Sequence, residues 1–313
     1  MGTPKFAVAS LEALLDAEFD VVGVITSPDK PAGRGKKLTE SEIKSFAVSK
    51  GLQILQPTNL KSPDFIDELK SLNANLGIVV AFRMLPEVVW AMPEYGTFNL
   101  HASLLPDYRG AAPINYAIIN GEKETGVTTF FLKHEIDTGE IIFQEKTPIH
   151  KEETAGELHD RLMKIGADLV VKTAKAIQID DYPQISQSLL STSNEIIKPA
   201  PKIFKEDCFI NWNNNAEVIN NLIRGLSPYP GAISNLVSEI GERIQIKIFK
   251  ATIVICPNNH QPGEIEFHGK DSLEVWVKNG KIIIDELQME GKKRMKTKDF
   301  LNGFRLSEKW KMI

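Results

Sequence analysis

Cysteine is nearly absent, with only Cys208 and Cys256 in 313 residues. They lie far apart and outside any metal-ligand spacing, which excludes a disulfide framework and predicts no metal site. The pattern is that of isolated, reduced thiols in a cytoplasmic protein. No apolar run approaches the ~20 residues that span a bilayer, so no membrane partner is predicted. The start "MGTPKFAVASLEALL" lacks the charged segment and cleavage site of a signal peptide. No G-x-G-x-x-G follows a strand-like run, which sets aside a nicotinamide dinucleotide site. No P-loop exists either, because Lys36 is followed by a second lysine. Charge of one sign is scarce too: 37 Lys and Arg stand against 41 Asp and Glu, a net charge of −4. That excludes a protein that coats nucleic acid generically, but not one with a local basic surface. Residues 204–313 carry 16 basic against 14 acidic side chains, so the remainder is the more acidic part.

What is present alternates. "VVGVIT" (21–26) and "LGIVVA" (76–81) are short apolar runs of the kind buried in parallel sheets. "GTFNLHA" and "TTFFLKH" supply further strands, and helical patterns cover about 3–18, 41–50 and 63–73. A long amphipathic helix fits 154–178, with Thr154 and Glu157 in capping-box spacing. The alternation predicts an α/β domain with a doubly wound, mostly parallel, Rossmann-like sheet over residues 1–181. Residues 182–205, rich in Ser, Pro and Asn, read as a linker. After a helical piece at 216–225 come short alternating strands with glycine turns. They predict a small β-barrel, like an oligonucleotide-binding fold, in a C-terminal domain over 206–313.

One stretch carries chemistry, "FNLHASLLPDYRGAAP" (98–113). Residues i and i+2 of a strand share a face, so Asn99 and His101 point together. At the C-terminal end of their strand they face the crevice where open α/β sheets bind ligands. An amide and an imidazole placed so can both donate hydrogen bonds to one developing oxyanion.

"NLHASLLPDYRGAAP", followed by Asp137-Thr138-Gly139 in "HEIDTGEII", resembles the signature of the folate-dependent formyltransferases. "VVAFRMLPEVV" (79–89) resembles that family's loop beside the folate ring. Within the family, "GTPKFAV", "SPDKPAGRGKKL" and "IRGLSPYPGA" (223–232) are similar to the branch whose acceptor is initiator methionyl-tRNA. The likeness extends over essentially the whole chain.

The resemblance implies a cytoplasmic, monomeric enzyme of translation initiation. It would move a formyl group from 10-formyltetrahydrofolate to the α-amine of methionine esterified to tRNA. Asn99, His101 and Asp137 would be catalytic, the first two donating to the carbonyl oxygen and Asp137 orienting the imidazole. Which of His101 and Asp137 is the formal base stays open. Phe82, Arg83, Met84 and Leu85, with Ser103, Leu104, Leu105 and Pro106, would contact the folate. Arg109 divides between structural pairing and substrate contact.

"KPAGRGKKL" (30–38) reads by itself as a solvated basic loop. The resemblance implies that Arg34, Lys36 and Lys37 reach the tRNA, where basic side chains on flexible glycines suit phosphates. "GKKRMKTKDF" (291–300) is either a polar turn or a second basic surface. Members of the family carry a short apolar strand immediately before Gly-Thr-Pro, and Met1 stands where that strand would end. The expectation is therefore translation from an upstream start, and a slot in the sheet beside residues 21–26.

Overall fold

The structure, a computed structural model, describes residues 1–32, 37–190, 196–257, 259–268, 272–304 and 310–313. These form two compact units. The first comprises Met1–Gly110, Glu124–Pro148 and His159–Pro199; the second comprises Ala111–Lys123, Ile149–Leu158 and Ala200–Ile313.

The first unit begins with helix α1 (Lys5–Asp16) and strand β1 (Val24–Ile25), then a hairpin of β2 (Lys30–Ala32) and β3 (Lys37–Thr39). Helix α2 (Glu42–Ser49), strand β4 (Ile54–Leu55), helix α3 (Pro63–Ser71) and strand β5 (Gly77–Val80) follow. Next come α4 (Glu87–Trp90), β6 (Thr97–His101) and the two-residue β7 (Arg109–Gly110). Local chemistry sets the helix starts. Ser41 caps α2 by accepting from Lys44 N at 3.3 Å, and Pro63 at the first position opens α3.

Strands β1 and β4 pair in parallel, as do β5 and β6. On the far side of β6 lie β8 (Glu124–Phe131) and β9 (Ile141–Pro148), both antiparallel to their neighbours. The parallel part thus carries two antiparallel strands at one edge, a common finish for such sheets. Between β1 and β5 the connection is made by two residues. Gly2 N donates to Ile25 O at 3.0 Å and Val80 N donates to Met1 O at 2.9 Å. Beside them lies a partly open cavity of about 680 Å³ bordered by Val21, Gly23, Leu76 and Ile78. One apolar core gathers Ile25, Leu55, Phe65, Leu69, Val79 and Val89.

Helix α5 (Pro113–Ile119) belongs to the second unit. Helix α6 (Ala155–Gln178) opens on the capping box read from the sequence. Thr154 N donates to Glu157 Oε2 at 2.9 Å and Glu157 N to Thr154 Oγ1 at 3.3 Å. After β10 (Pro199–Ala200) comes α7 (Ala216–Gly225). Strands β11 (Ala232–Val237), β12 (Arg243–Ile255), β13 (Ile265–His268), β14 (Ser272–Val277) and β15 (Gly280–Met289) follow. They are completed by β16 (Met295–Lys296), α8 (Thr297–Gly303) and β17 (Lys311–Met312).

These strands form one antiparallel sheet in the order β13-β14-β15-β12-β11-β17, with β16 on β15. The sheet curls until its two ends meet: Met312 N donates to Gly263 O at 2.8 Å, and Glu264 bridges Lys311. Gly263 sits at φ +88°, and an added Cβ would stand 2.3 Å from Met312 O. Only glycine lets the barrel close there.

Candidate active site

Strand β6 places Asn99 and His101, two candidate catalytic side chains, and it is central. It pairs with β5 through Val79–Asn99 and with β8 through His101–Thr128 and Asn99–Phe130. Asn99 and His101 therefore share one face at the end of a strand held on both sides. His101 is 6% exposed, and its Nε2 lies 2.8 Å from Tyr108 O. A carbonyl only accepts, so Nε2 carries a proton and Nδ1 is the ring nitrogen left for chemistry. That nitrogen faces Asp137 Oδ2 at 3.9 Å.

Asp137 sits at φ +55°, in the left-handed region that a short polar side chain tolerates. Its Oδ2 also accepts from Gly110 N at 2.9 Å. The neighbouring Gly139 is obligatory for a different reason. A Cβ there would stand 1.6 Å from Phe131 O, so the D-T-G turn lies directly on strand β8. Asn99 has a buried Oδ1 with no hydrogen-bond partner among the described residues. A half-turn of the amide puts NH₂ at the same place, so the orphaned position suits an incoming carbonyl oxygen or amine.

The Ser103–Pro106 segment divides by burial. Ser103 is fully buried and its hydroxyl donates to Asp107 O at 2.7 Å. Leu105 is 2% exposed and packs with Phe130 and Ile141. The backbone between them is pinned from β8 and β9. Thr128 Oγ1 donates to Ser103 O at 2.6 Å, and Gln144 Nε2 donates to Leu105 O at 2.9 Å. Half-buried Leu104 and Pro106 are the side chains with surface to offer a ligand.

At 82–85, Leu85 is buried, Phe82 half-buried, and Arg83 and Met84 exposed. Arg83 donates to Thr58 O at 3.0 Å and to Pro57 O, and its guanidinium lies 5.7 Å from the Phe82 ring centroid. Arg109 turns out to pair within the fold. Its Nε and Nη2 lie 3.1 and 2.6 Å from Gln187 Oε1.

Arg34 and Lys36 lie outside the described residues. Lys37 belongs to β3, opposite Ala32 across the hairpin. The foot of that hairpin is anchored: Asp29 accepts from Lys44 Nζ at 2.5 Å and from Gln56 Nε2 at 2.9 Å. Those hydrogen bonds, Lys44 first, hold the Asp29 carboxyl below its ordinary value. In the basic run, Arg294 pairs with Glu286 at 2.5 Å and lies over Phe249.

Residues 1–174 fit the family described as "Formyl transferase", and residues 202–305 fit "Formyl transferase, C-terminal domain". The chain belongs to the formyl transferase family. A methionyl-tRNA formyltransferase of Bacteroides fragilis is 52% identical over 312 residues, covering 100% of this chain and 96% of the relative. A methionyl-tRNA formyltransferase of Flavobacterium johnsoniae is 51% identical at 100% and 97% coverage. Among solved formyl transferases, a sugar 3N-formyl transferase determined with dTDP and 5-N-formyl-THF shares the fold. It has a TM-score of 0.60 and 23% identity, covering 93% of this chain and 97% of that one. Gln187, Thr128 and Gln144 are residues of this formyl transferase that sequence reasoning missed. They lie far along the chain from the motifs they support, and nothing local marks them.

Proposed function

We propose that this protein transfers the formyl group of 10-formyltetrahydrofolate to the α-amine of initiator methionyl-tRNA, with Asn99, His101 and Asp137 at the reacting centre. The observation that carries the site assignment is the cluster itself: an orphaned amide position, an imidazole with one committed nitrogen, and a carboxylate facing the other. Full-length likeness to methionyl-tRNA formyltransferases at about 52% supports the acceptor. The folate co-substrate supplies the activated formyl carbon. Half-buried Leu104, Pro106 and Phe82, with exposed Arg83 and Met84, are the side chains available to hold it. Buried Ser103, Leu105 and Leu85 shape that segment from behind.

Asn99 stabilises the carbonyl oxygen as it gains charge on attack by the amine. Such a donor, fixed in advance in a dry site, acts without reorganisation cost. His101 cannot share that task through Nε2, which Tyr108 O already occupies. Its Nδ1 instead takes the proton that the amine releases, and Asp137 stabilises the imidazolium that results. The tetrahedral centre then collapses with cleavage of the bond from the formyl carbon to N10, and the imidazolium returns the proton to N10, which leaves formylated amine, tetrahydrofolate and neutral His101. On this reading His101 is the base and Asp137 its partner.

Arg34, Lys36 and Lys37 contact tRNA phosphates, and the barrel over 206–313 serves as a second tRNA-contacting domain. No helix among the described residues is long and apolar enough to cross a membrane. That the enzyme works as a cytoplasmic monomer is what the family resemblance implies. The test is a formylation assay offering methionyl-tRNA and a dTDP-amino sugar in parallel with the same folate donor. Formylmethionyl-tRNA as the sole product is expected; turnover of the sugar alone would overturn the acceptor assignment.

A further inference from the structure

We infer that Gln187 is a positioning residue for formyl transfer, the link that fixes Asp137 against His101. The inference rests on the catalytic reading above. Gln187 lies in the segment 182–205 that composition marks as a linker, yet it is 3% exposed. Its Nε2 donates to Asp137 O at 2.9 Å and to Gly139 O at 2.8 Å, while its Oε1 accepts from Arg109 Nε and Nη2. Both N–H groups and both lone pairs are used. The orientation is unambiguous, because the partners of nitrogen are carbonyls and the partners of oxygen are guanidinium N–H groups.

This one amide ties two separate loops. One carries Arg109 and Gly110, whose N–H holds the Asp137 carboxylate; the other is the D-T-G turn itself. The backbone leading into Gln187 is tied to the same turn's exit: Ile141 N donates to Ile185 O and Ile185 N donates to Ile141 O, each at 2.9 Å. Asp137 has a left-handed φ that its own side chain does little to enforce. Two donors on the carbonyls of Asp137 and Gly139 hold that conformation from outside. Without them the carboxylate keeps Gly110 N but loses the constraint on its distance from His101 Nδ1. A displacement of about 1 Å at a reacting centre costs on the order of 10²-fold in rate.

Gln187→Glu tests this with little change in volume. The carboxylate keeps Arg109 and cannot donate to the two carbonyls. Turnover is measured per folate-binding site, with sites titrated by 5-formyltetrahydrofolate so that misfolded protein is not counted. The expected result is a kcat lower by roughly 10- to 100-fold, with KM for both substrates within about 3-fold. A wild-type kcat per site, or a loss confined to KM, would overturn the inference. Should that variant fail to fold, Arg109→Lys removes the forked pairing and is expected to give a smaller kcat loss of the same kind. An unchanged kcat there would count equally against the proposal. Asp137→Asn and His101→Ala are assayed alongside. Wild-type kcat in both would sink the catalytic reading itself; a loss in both with none at Gln187 would sink only the positioning role.

Discussion

Among the described residues, the buried Oδ1 of Asn99 has no partner, an arrangement that costs folding free energy, commonly ~1–3 kcal/mol for such a group. On the proposed mechanism the same position, with the amide turned, donates to the reacting carbonyl oxygen. Truncating the amide therefore separates stability from function. In Asn99→Ala the melting temperature is expected to stay level or rise, while kcat falls ~10²- to 10³-fold with folate affinity retained. Thermal unfolding and steady-state kinetics on one preparation check both halves. A parallel loss of stability and rate would mean that Asn99 serves packing rather than catalysis.

Secondary structure is the scale at which the sequence is most legible, and the exceptions are instructive. The helix expected over 216–225 is Ala216–Gly225, and that over 154–178 is Ala155–Gln178. Both have full apolar stripes and explicit end signals. Strand β9 escapes such a reading: after Ile141 and Ile142 its outward residues are Glu145 and Lys146, and a partly exposed edge strand gives no clean alternation. Strand β11 buries both Ser234 and Asn235, on opposite faces, and Trp212 Nε1 and Ile313 O meet the serine hydroxyl. Buried polar pairs of this kind are invisible until the partner chain segment is known. Of the candidate site, Asn99 and His101 are legible because strand spacing and motif coincide, and Asp137 because the family resemblance picks out its D-T-G turn. Gln187 is not, because its purpose depends on two loops distant in sequence.

Two predictions belong to elements. Thr154→Ala should remove the cap of α6 and cost about 1 kcal/mol near neutral pH. Hydrogen bonds from Thr154 hold the Glu157 carboxyl below its ordinary value. Its contribution is therefore present above the usual glutamate range and lost as pH falls through the depressed value. The gap between variant and wild type should narrow in acid, as denaturant titrations at two pH values will show. For the hairpin of β2 and β3, changing Arg34, Lys36 and Lys37 together to Ala should weaken tRNA binding and flatten its salt dependence. The log–log slope falls by about 0.7–0.9 for each phosphate that the variant no longer neutralises. Folate affinity should not move, and an equal drop in folate binding would reassign the loop.

At the scale of the molecule, the two units differ in how they close. The barrel of the second unit joins its sheet ends through Gly263 and Met312. The sheet of the first is joined between β1 and β5 by Met1 and Gly2, with a cavity of about 680 Å³ alongside. Apolar side chains that border such a space forgo the dispersion contacts a packed neighbour would supply, which lowers the stability of the unit that holds them. The first unit should therefore yield to denaturant before the second. The tryptophans are distributed so as to report this: Trp90 belongs to the first unit, and Trp212, Trp276 and Trp310 to the second. In a urea titration the emission of Trp90, isolated by replacing the other three with Phe, should shift at lower concentration than that of the barrel tryptophans. Enlarging Ala174, which borders the cavity, to Val should move the Trp90 transition upward and leave the barrel's unchanged.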